Sequence, residues 1–128
     1  MTHALLIADD SDHKVMLMEG MLLRHGWKGE IFIASSTEAA IALIDVHPQI
    51  RFALIDFYIP SANGPAVMTY LKAKHPDARF ALVSSSDKYE NTEEAKAAGA
   101  EACICTSYEP DEVEMAFSNL LSEWVGSN

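Results

Sequence analysis

Residues 52–56 read Phe52-Ala53-Leu54-Ile55-Asp56, four apolar residues in succession closed by a carboxylate. A strand with one wet face alternates apolar and polar residues, whereas an unbroken apolar run of strand length fits a strand covered on both faces. Four further runs have strand length, and most are apolar throughout: Ala4–Ala8, Glu30–Ala34, Arg79–Ser84 and Glu101–Cys105. Helical patterns separate them. Val15, Met18 and Leu22 recur at helical spacing in the first, Ala40, Leu43, Ile44 and His47 in the second, and Val113, Phe117, Leu120, Leu121 and Trp124 in the last. The segment Lys88–Ala98 is the weakest helix, rich in Ala and Glu with little apolar stripe.

Start and stop signals agree. Ser35-x-x-Glu38 and Asp87-x-x-Glu90 read as capping boxes. Gly26, Pro48 and Pro76 follow the first three helices as stops, and Pro110 stands where a first helical residue would. His25, His47 and His75 fall at expected helix C-termini, where a cation suits the helix dipole. Five strands alternating with helices give an α/β fold, (βα)5, with a doubly wound five-stranded parallel sheet. The chain reads as one domain, 1–128, with its core at about 4–125 and a short tail at 126–128.

Composition narrows the function. The 128 residues are 49% hydrophobic and 22% charged, and the net charge is −10. A field of that sign repels phosphate backbones and anionic membrane surfaces, which argues against direct nucleic-acid or membrane binding. No apolar run approaches the roughly 20 residues of a membrane helix, and Met1-Thr2-His3-Ala4 lacks the basic start of a secretory signal. Cys103 and Cys105, two apart on one expected strand, share a face and read as a buried pair of small hydrophobes in a reducing, cytoplasmic setting.

In open parallel sheets ligands bind beyond the carboxyl ends of the strands, near the point where strand order reverses. Strand one ends in Asp9-Asp10, strand three in Asp56, strand four in Ser84-Ser85-Ser86, and strand five runs into Thr106-Ser107. Three carboxylates gathered there repel one another, and a hard divalent cation such as Mg2+ resolves the conflict. A carboxylate oxygen beside such an ion can attack phosphorus and form an acyl phosphate. Asp12 reads as a cap or surface charge, and the methionines, among them Met18, Met21 and Met68, as core filling.

Asp9-Asp10, then Leu54-Ile55-Asp56-Phe57-Tyr58-Ile59-Pro60 with Asn63-Gly64, Val83-Ser84 and Gly99-Ala100 together resemble the receiver domain of two-component response regulators, over about Ala4 to Trp124. The resemblance implies a flavodoxin-like strand order 2-1-3-4-5. It implies Asp56 as phosphoacceptor, supplied by a histidine kinase or phosphotransfer protein. It implies Mg2+ on Asp9, Asp10, Asp56 and the backbone carbonyl of Tyr58, with Ser84 hydrogen-bonding the phosphoryl group. Pro60 and Gly64 would shape the loop and the start of helix three. A downstream protein partner would meet the region 88–124. Such a chain is not an enzyme beyond accepting phosphate and slowly losing it, and it would act as a stand-alone relay or as a domain of a longer protein.

The chain departs from the family where Thr106-Ser107 replaces the usual Lys-Pro, and where Cys103 replaces the switch aromatic. Thr106 offers a neutral hydroxyl, and charge-assisted bonds are about twice as strong as neutral ones. His13 and Lys14 are the candidates to replace the lost cation, with His13 expected on the surface. The side chain of Tyr58 either borders the phosphoryl site, slowing water attack, or is a half-exposed loop aromatic. Two other functions stand beside the phosphoacceptor. A pseudo-receiver would act as a phosphorylation-independent interaction module. An Asp-nucleophile phosphatase would want a second carboxylate where Tyr58 stands. No Gly-x-Gly-x-x-Gly supports a dinucleotide site.

Overall fold

A computed structural model describes residues 2–128. In chain order the elements are β1 (Ala4–Ala8), α1 (Asp12–Arg24), β2 (Ile31–Ala34), α2 (Thr37–Val46), β3 (Ile50–Ile55), α3 (Gly64–Lys74), β4 (Arg79–Ser84), α4 (Tyr89–Ala97), β5 (Cys103–Cys105) and α5 (Pro110–Ser127). All strand pairs are parallel and the sheet order is β2-β1-β3-β4-β5, as expected.

Alternate residues of each strand feed two cores, because successive side chains leave a strand on opposite faces. Leu5, Ile7, Phe52, Leu54, Ala81, Val83 and Ile104 pack with Val15, Met18 and Leu22 of α1 and with Phe117, Leu121 and Trp124 of α5. Leu6, Ala8, Ala53, Ile55, Phe80 and Leu82 pack with α2, α3 and α4 through Ala40, Ile44, Val67, Met68, Leu71 and Ala95. Phe52 sits between Trp27 and Trp124, with ring centroids 5.2 and 5.3 Å away. The central strands are therefore apolar throughout because neither face meets water.

Several boundaries differ from the sequence reading. The N-cap of α2 is Ser36, whose side chain accepts from the Ala39 N–H at 3.1 Å, and Ser35 is exposed. Glu38 accepts instead from the Ser61 hydroxyl. No side chain caps α4: Asp87 accepts from the Tyr108 hydroxyl at 3.0 Å. Strand β5 keeps only three residues, Cys103–Cys105, although the Glu101 N–H and the Ala102 carbonyl already bond β4 at Phe80 and Leu82. Both cysteines are half-buried rather than buried, since β5 is an edge and α4 turns only Asn91 and Ala95 inward. Helix α5 runs on to Ser127, so Gly126 and Ser127 are helical, and Asn128 accepts from the His3 N–H at 2.9 Å. Asp12 opens α1 as an exposed charge behind its N-cap, Ser11, and His25, His47 and His75 are the C-caps of α1, α2 and α3.

Glu101 clamps this frame at the end opposite the carboxylates. It accepts from Arg79 Nε at 2.9 Å and Nη2 at 2.6 Å, and from Trp124 Nε1 at 2.9 Å. Burial works to raise its pKa, but the Arg79 and Trp124 hydrogen bonds outweigh burial and hold it below the usual range. A carboxylate with a depressed folded pKa contributes stability above its unfolded pKa and loses it as pH falls through the folded value. Glu101→Gln is expected to lower stability at neutral pH by about 1 kcal/mol, the pair being partly screened. In urea unfolding the gap to wild type should close below about pH 4; a gap constant with pH would assign the effect to packing.

Candidate functional site

The register of the sheet sets the site. Ala8 pairs with Ile55, so Asp9 and Asp56 are the next residues out of adjacent strands, and the Asp56 N–H bonds the Ala8 carbonyl at 2.9 Å. Asp9 is 1% exposed and Asp56 8% exposed, while Asp10 is exposed. One carboxylate oxygen from each of Asp9, Asp10 and Asp56 lies within 4.8 Å of the others. The three acids read from the sequence are thus brought together.

Each buried acid has a committed oxygen. Asp9 Oδ1 accepts from the Ser11 N–H at 2.9 Å, a turn that leads straight into the α1 cap. Asp56 Oδ1 accepts from the Phe57 N–H at 2.8 Å. Lys14 supplies the counter-charge. Its side chain is largely buried, and its Nζ lies 2.9 Å from Asp9 Oδ2 and 3.1 Å from Asp56 Oδ1. The same ammonium donates to the Val83 carbonyl at 2.9 Å. Asp9 Oδ2 makes no hydrogen bond, so its contact with Lys14 is an ion pair off the hydrogen-bonding direction. Burial pushes the Asp56 carboxyl above its ordinary pKa, Asp9 adding to the rise while Lys14 and the Phe57 N–H oppose it.

The other expected residues take varied places. Ser84 ends β4, 2% exposed, with its hydroxyl accepting from the Ser86 N–H at 3.2 Å. Thr106 is half-buried, and both its N–H (2.8 Å) and hydroxyl (3.5 Å) are directed to the Ser84 carbonyl. His13 is exposed, as expected, on the groove beside Thr106 and Pro110. Tyr58 is 48% exposed, and its hydroxyl accepts from Nδ2 of buried Asn91 at 3.0 Å. Thr37, 2% exposed, takes the Ser61 N–H at 3.0 Å and the Ala62 N–H at 3.3 Å on its hydroxyl, tying the loop after β3 to α2.

Sequence reasoning missed Thr37 and Asn91 and left Lys14 undecided. For Lys14 a signal existed: it lies four residues before Met18, on the buried stripe of α1. Asn91 has the same relation to Ala95, on the buried side of α4.

The donor set fits a hard divalent cation. It is all oxygen, its three carboxylates converge to within 4.8 Å, and it includes an exposed carboxylate on Asp10. Among the described residues Lys14 is the only cation paired with Asp9 or Asp56, and none pairs with Asp10.

Comparison with known proteins agrees with the geometry. The family model described as response regulator receiver domain matches residues 5–117. Response regulator SaeR of Staphylococcus aureus (strain USA300) is 26% identical over 122 residues, 95% of this chain and 51% of its own length. The chain therefore spans about half the length of the curated relatives it matches. A CheY-like receiver domain protein from Methanospirillum hungatei JF-1 superposes with a TM-score of 0.78 at 22% identity, covering 100% of both chains. The Mn(2+)-bound form of response regulator Rcp1 superposes at 0.81 with 17% identity over 98% of this chain and 96% of its own. A Burkholderia pseudomallei response regulator with a phosphorylated aspartic acid, calcium ion and citrate superposes at 0.73 with 18% identity over 98% and 72%.

Gly64 holds the backbone of Asp56 in place. A Cβ at this position would lie 2.1 Å from the Asp56 carbonyl oxygen, and the Gly64 N–H bonds the Phe57 carbonyl at 2.7 Å. Because the obstacle is backbone, Gly64→Ala must displace the loop after β3. It is expected to cost about 1–3 kcal/mol and to move the amide NMR signals of Asp56 and Phe57 more than those of β2. Unchanged signals there would refute the close approach.

Proposed function

The chain belongs to the response regulator receiver family, and on that premise we propose that it binds Mg2+ and takes a phosphoryl group on Asp56 from a histidine kinase or phosphotransfer protein. The observation that carries the reading is the state of Asp56. It is a buried carboxylate with Oδ1 held by the Phe57 N–H and by Lys14. Its Oδ2 makes no such contact among the described residues, and one carboxylate oxygen of Asp56 lies within 4.8 Å of one from each of Asp9 and Asp10. Asp9, Asp10, Asp56 and the Tyr58 backbone carbonyl would hold Mg2+, which when bound supplies positive charge against an incoming phosphate. The Mn(2+)-bound and aspartyl-phosphorylated solved neighbours support both halves of the reading.

In the transfer, Asp56 Oδ2 attacks phosphorus, a new O–P bond forms and the donor's N–P or O–P bond breaks, the electron pair leaving with the donor atom. Ser84, at the end of the neighbouring strand, offers one hydroxyl hydrogen to a phosphoryl oxygen. The product is an acyl phosphate that water hydrolyses slowly, and the chain's chemistry ends there. Output goes to a protein partner through 88–124, where Tyr89, Tyr108 and Met115 are exposed.

One observation favours the pseudo-receiver instead: Lys14 gives Asp9 and Asp56 a permanent internal counter-ion. Intact mass after incubation with Mg2+ and a small acyl phosphate separates the readings. The wild type should gain the mass of one phosphoryl group, and Asp56→Asn should gain none. No gain in the wild type at any time point, with Mg2+ binding shown by calorimetry, would establish the pseudo-receiver.

Tyr58 is fixed by Asn91 and lies edge-on to Phe57, with centroids 4.9 Å apart. Two residues after Asp56, a ring so fixed would border the phosphoryl group and hinder water. Tyr58→Ala is expected to shorten the acyl phosphate's lifetime roughly tenfold, about 1.4 kcal/mol of barrier. Decay of the phosphorylated mass peak after the donor is removed measures this, and an unchanged lifetime would make the ring a bystander.

A further inference from the structure

We infer that Lys14 is the cation of the phosphoryl site, delivered from helix α1 in place of a cation after β5. The inference deepens the phosphoacceptor reading and rests on it.

Its basis is placement. A buried ammonium is costly unless paired, and the Lys14 side chain crosses the apolar stripe of α1 to reach two acids and a strand-end carbonyl. Its hydrogen bond to Val83 puts it one residue from Ser84, so it stands between the phosphoacceptor and the strand carrying the expected phosphoryl donor hydroxyl. Thr106 supplies no charge, and its hydroxyl is turned to the Ser84 carbonyl. His13 is exposed on the outer groove. Among the described residues Lys14 is the only cation paired with Asp9 or Asp56.

The ammonium's contacts also leave room for a cation on the other side of Asp56. Lys14 occupies Asp9 Oδ2 and Asp56 Oδ1, while Asp10 and Asp56 Oδ2 stay uncommitted. When Asp56 Oδ2 bonds to phosphorus and the donor's bond to phosphorus breaks, the carboxylate loses its own charge to the new acyl phosphate linkage. The negative charge then lies on the phosphoryl oxygens. An ammonium 3.1 Å from Asp56 Oδ1 is placed to follow that charge, exchanging a carboxylate oxygen for a phosphoryl oxygen. Such an exchange alters what α1 is anchored to.

The test uses the full chain with Mg2+ and a small acyl phosphate, reading the rate of phosphoryl gain by intact mass. Lys14→Gln keeps a donor for Val83 but removes the charge, and uptake should fall about 100-fold. Lys14→Met guards against a folding artefact and should fall likewise, with thermal unfolding confirming a folded chain. Adding Thr106→Lys to either variant should restore at least a tenth of the wild-type rate, because Thr106 adjoins the Ser84 backbone. Mg2+ affinity by calorimetry should hold or rise in both variants, since a positive charge has left Asp9 and Asp56. Wild-type rates in the folded Lys14 variants would overturn the inference and leave the phosphoacceptor reading standing. Loss of Mg2+ affinity together with uptake, unrescued by Thr106→Lys, would show a merely collapsed pocket and would also overturn it. A wild type that gains no phosphoryl group would overturn both.

Discussion

Two carboxylates that leave a parallel sheet from adjacent strands cannot stay buried and charged without a cation, and this electrostatic demand organises the chain. Asp9 and Asp56 exit side by side because Ala8 and Ile55 are paired in the ladder. Their burial follows from the same apolar strands that make the core. What answers them is Lys14, while a third and exposed acid, Asp10, stands beside them and adds to the demand. The loop around Asp56 is then fixed from three directions: the Phe57 N–H on its carboxylate, Gly64 against its carbonyl, and Thr37 holding Ser61 and Ala62.

The division of labour in the structure is clear from burial. Strand ends and the first turn of α1 hold the charged centre, while α4, β5 and the loop into α5 carry the exposed Tyr89 and Tyr108 and two half-buried thiols. The bond from Asn91 to the Tyr58 hydroxyl joins these regions, running from the inward face of α4 to the residue two after the acceptor. That contact links α4 to the loop after β3 in a chain whose strand five has no aromatic.

Much of this was legible in the residues. Unbroken apolar runs marked the buried strands, and the acids at their ends marked the site, because both signals are local in the chain. Helix stops at Gly26, Pro48 and Pro76 were read correctly for the same reason: each acts through its own backbone. Caps were less legible. Ser35 and Ser36 are adjacent hydroxyls, and which one caps α2 depends on where the chain leaves β2. Strand five was overread because a run of small residues does not tell how much of it the neighbouring strand will pair. Lys14 was the hardest case. A lysine on an apolar stripe reads as a defect until the partners across the sheet edge are known, and those partners lie 42 and 69 residues further on, at Asp56 and Val83, as well as nearby at Asp9.

The brevity of β5 has a consequence for assembly. A sheet edge with many free amides and carbonyls is a template onto which a further strand, from another molecule, can be laid. Here that margin is three residues long, and one of its carbonyls, that of Cys105, already takes the Tyr108 N–H at 3.4 Å. Main-chain ladders thus have almost nothing to extend on this flank. A molecule that met this flank would have to be held by side chains, whose identity can change without disturbing the sheet.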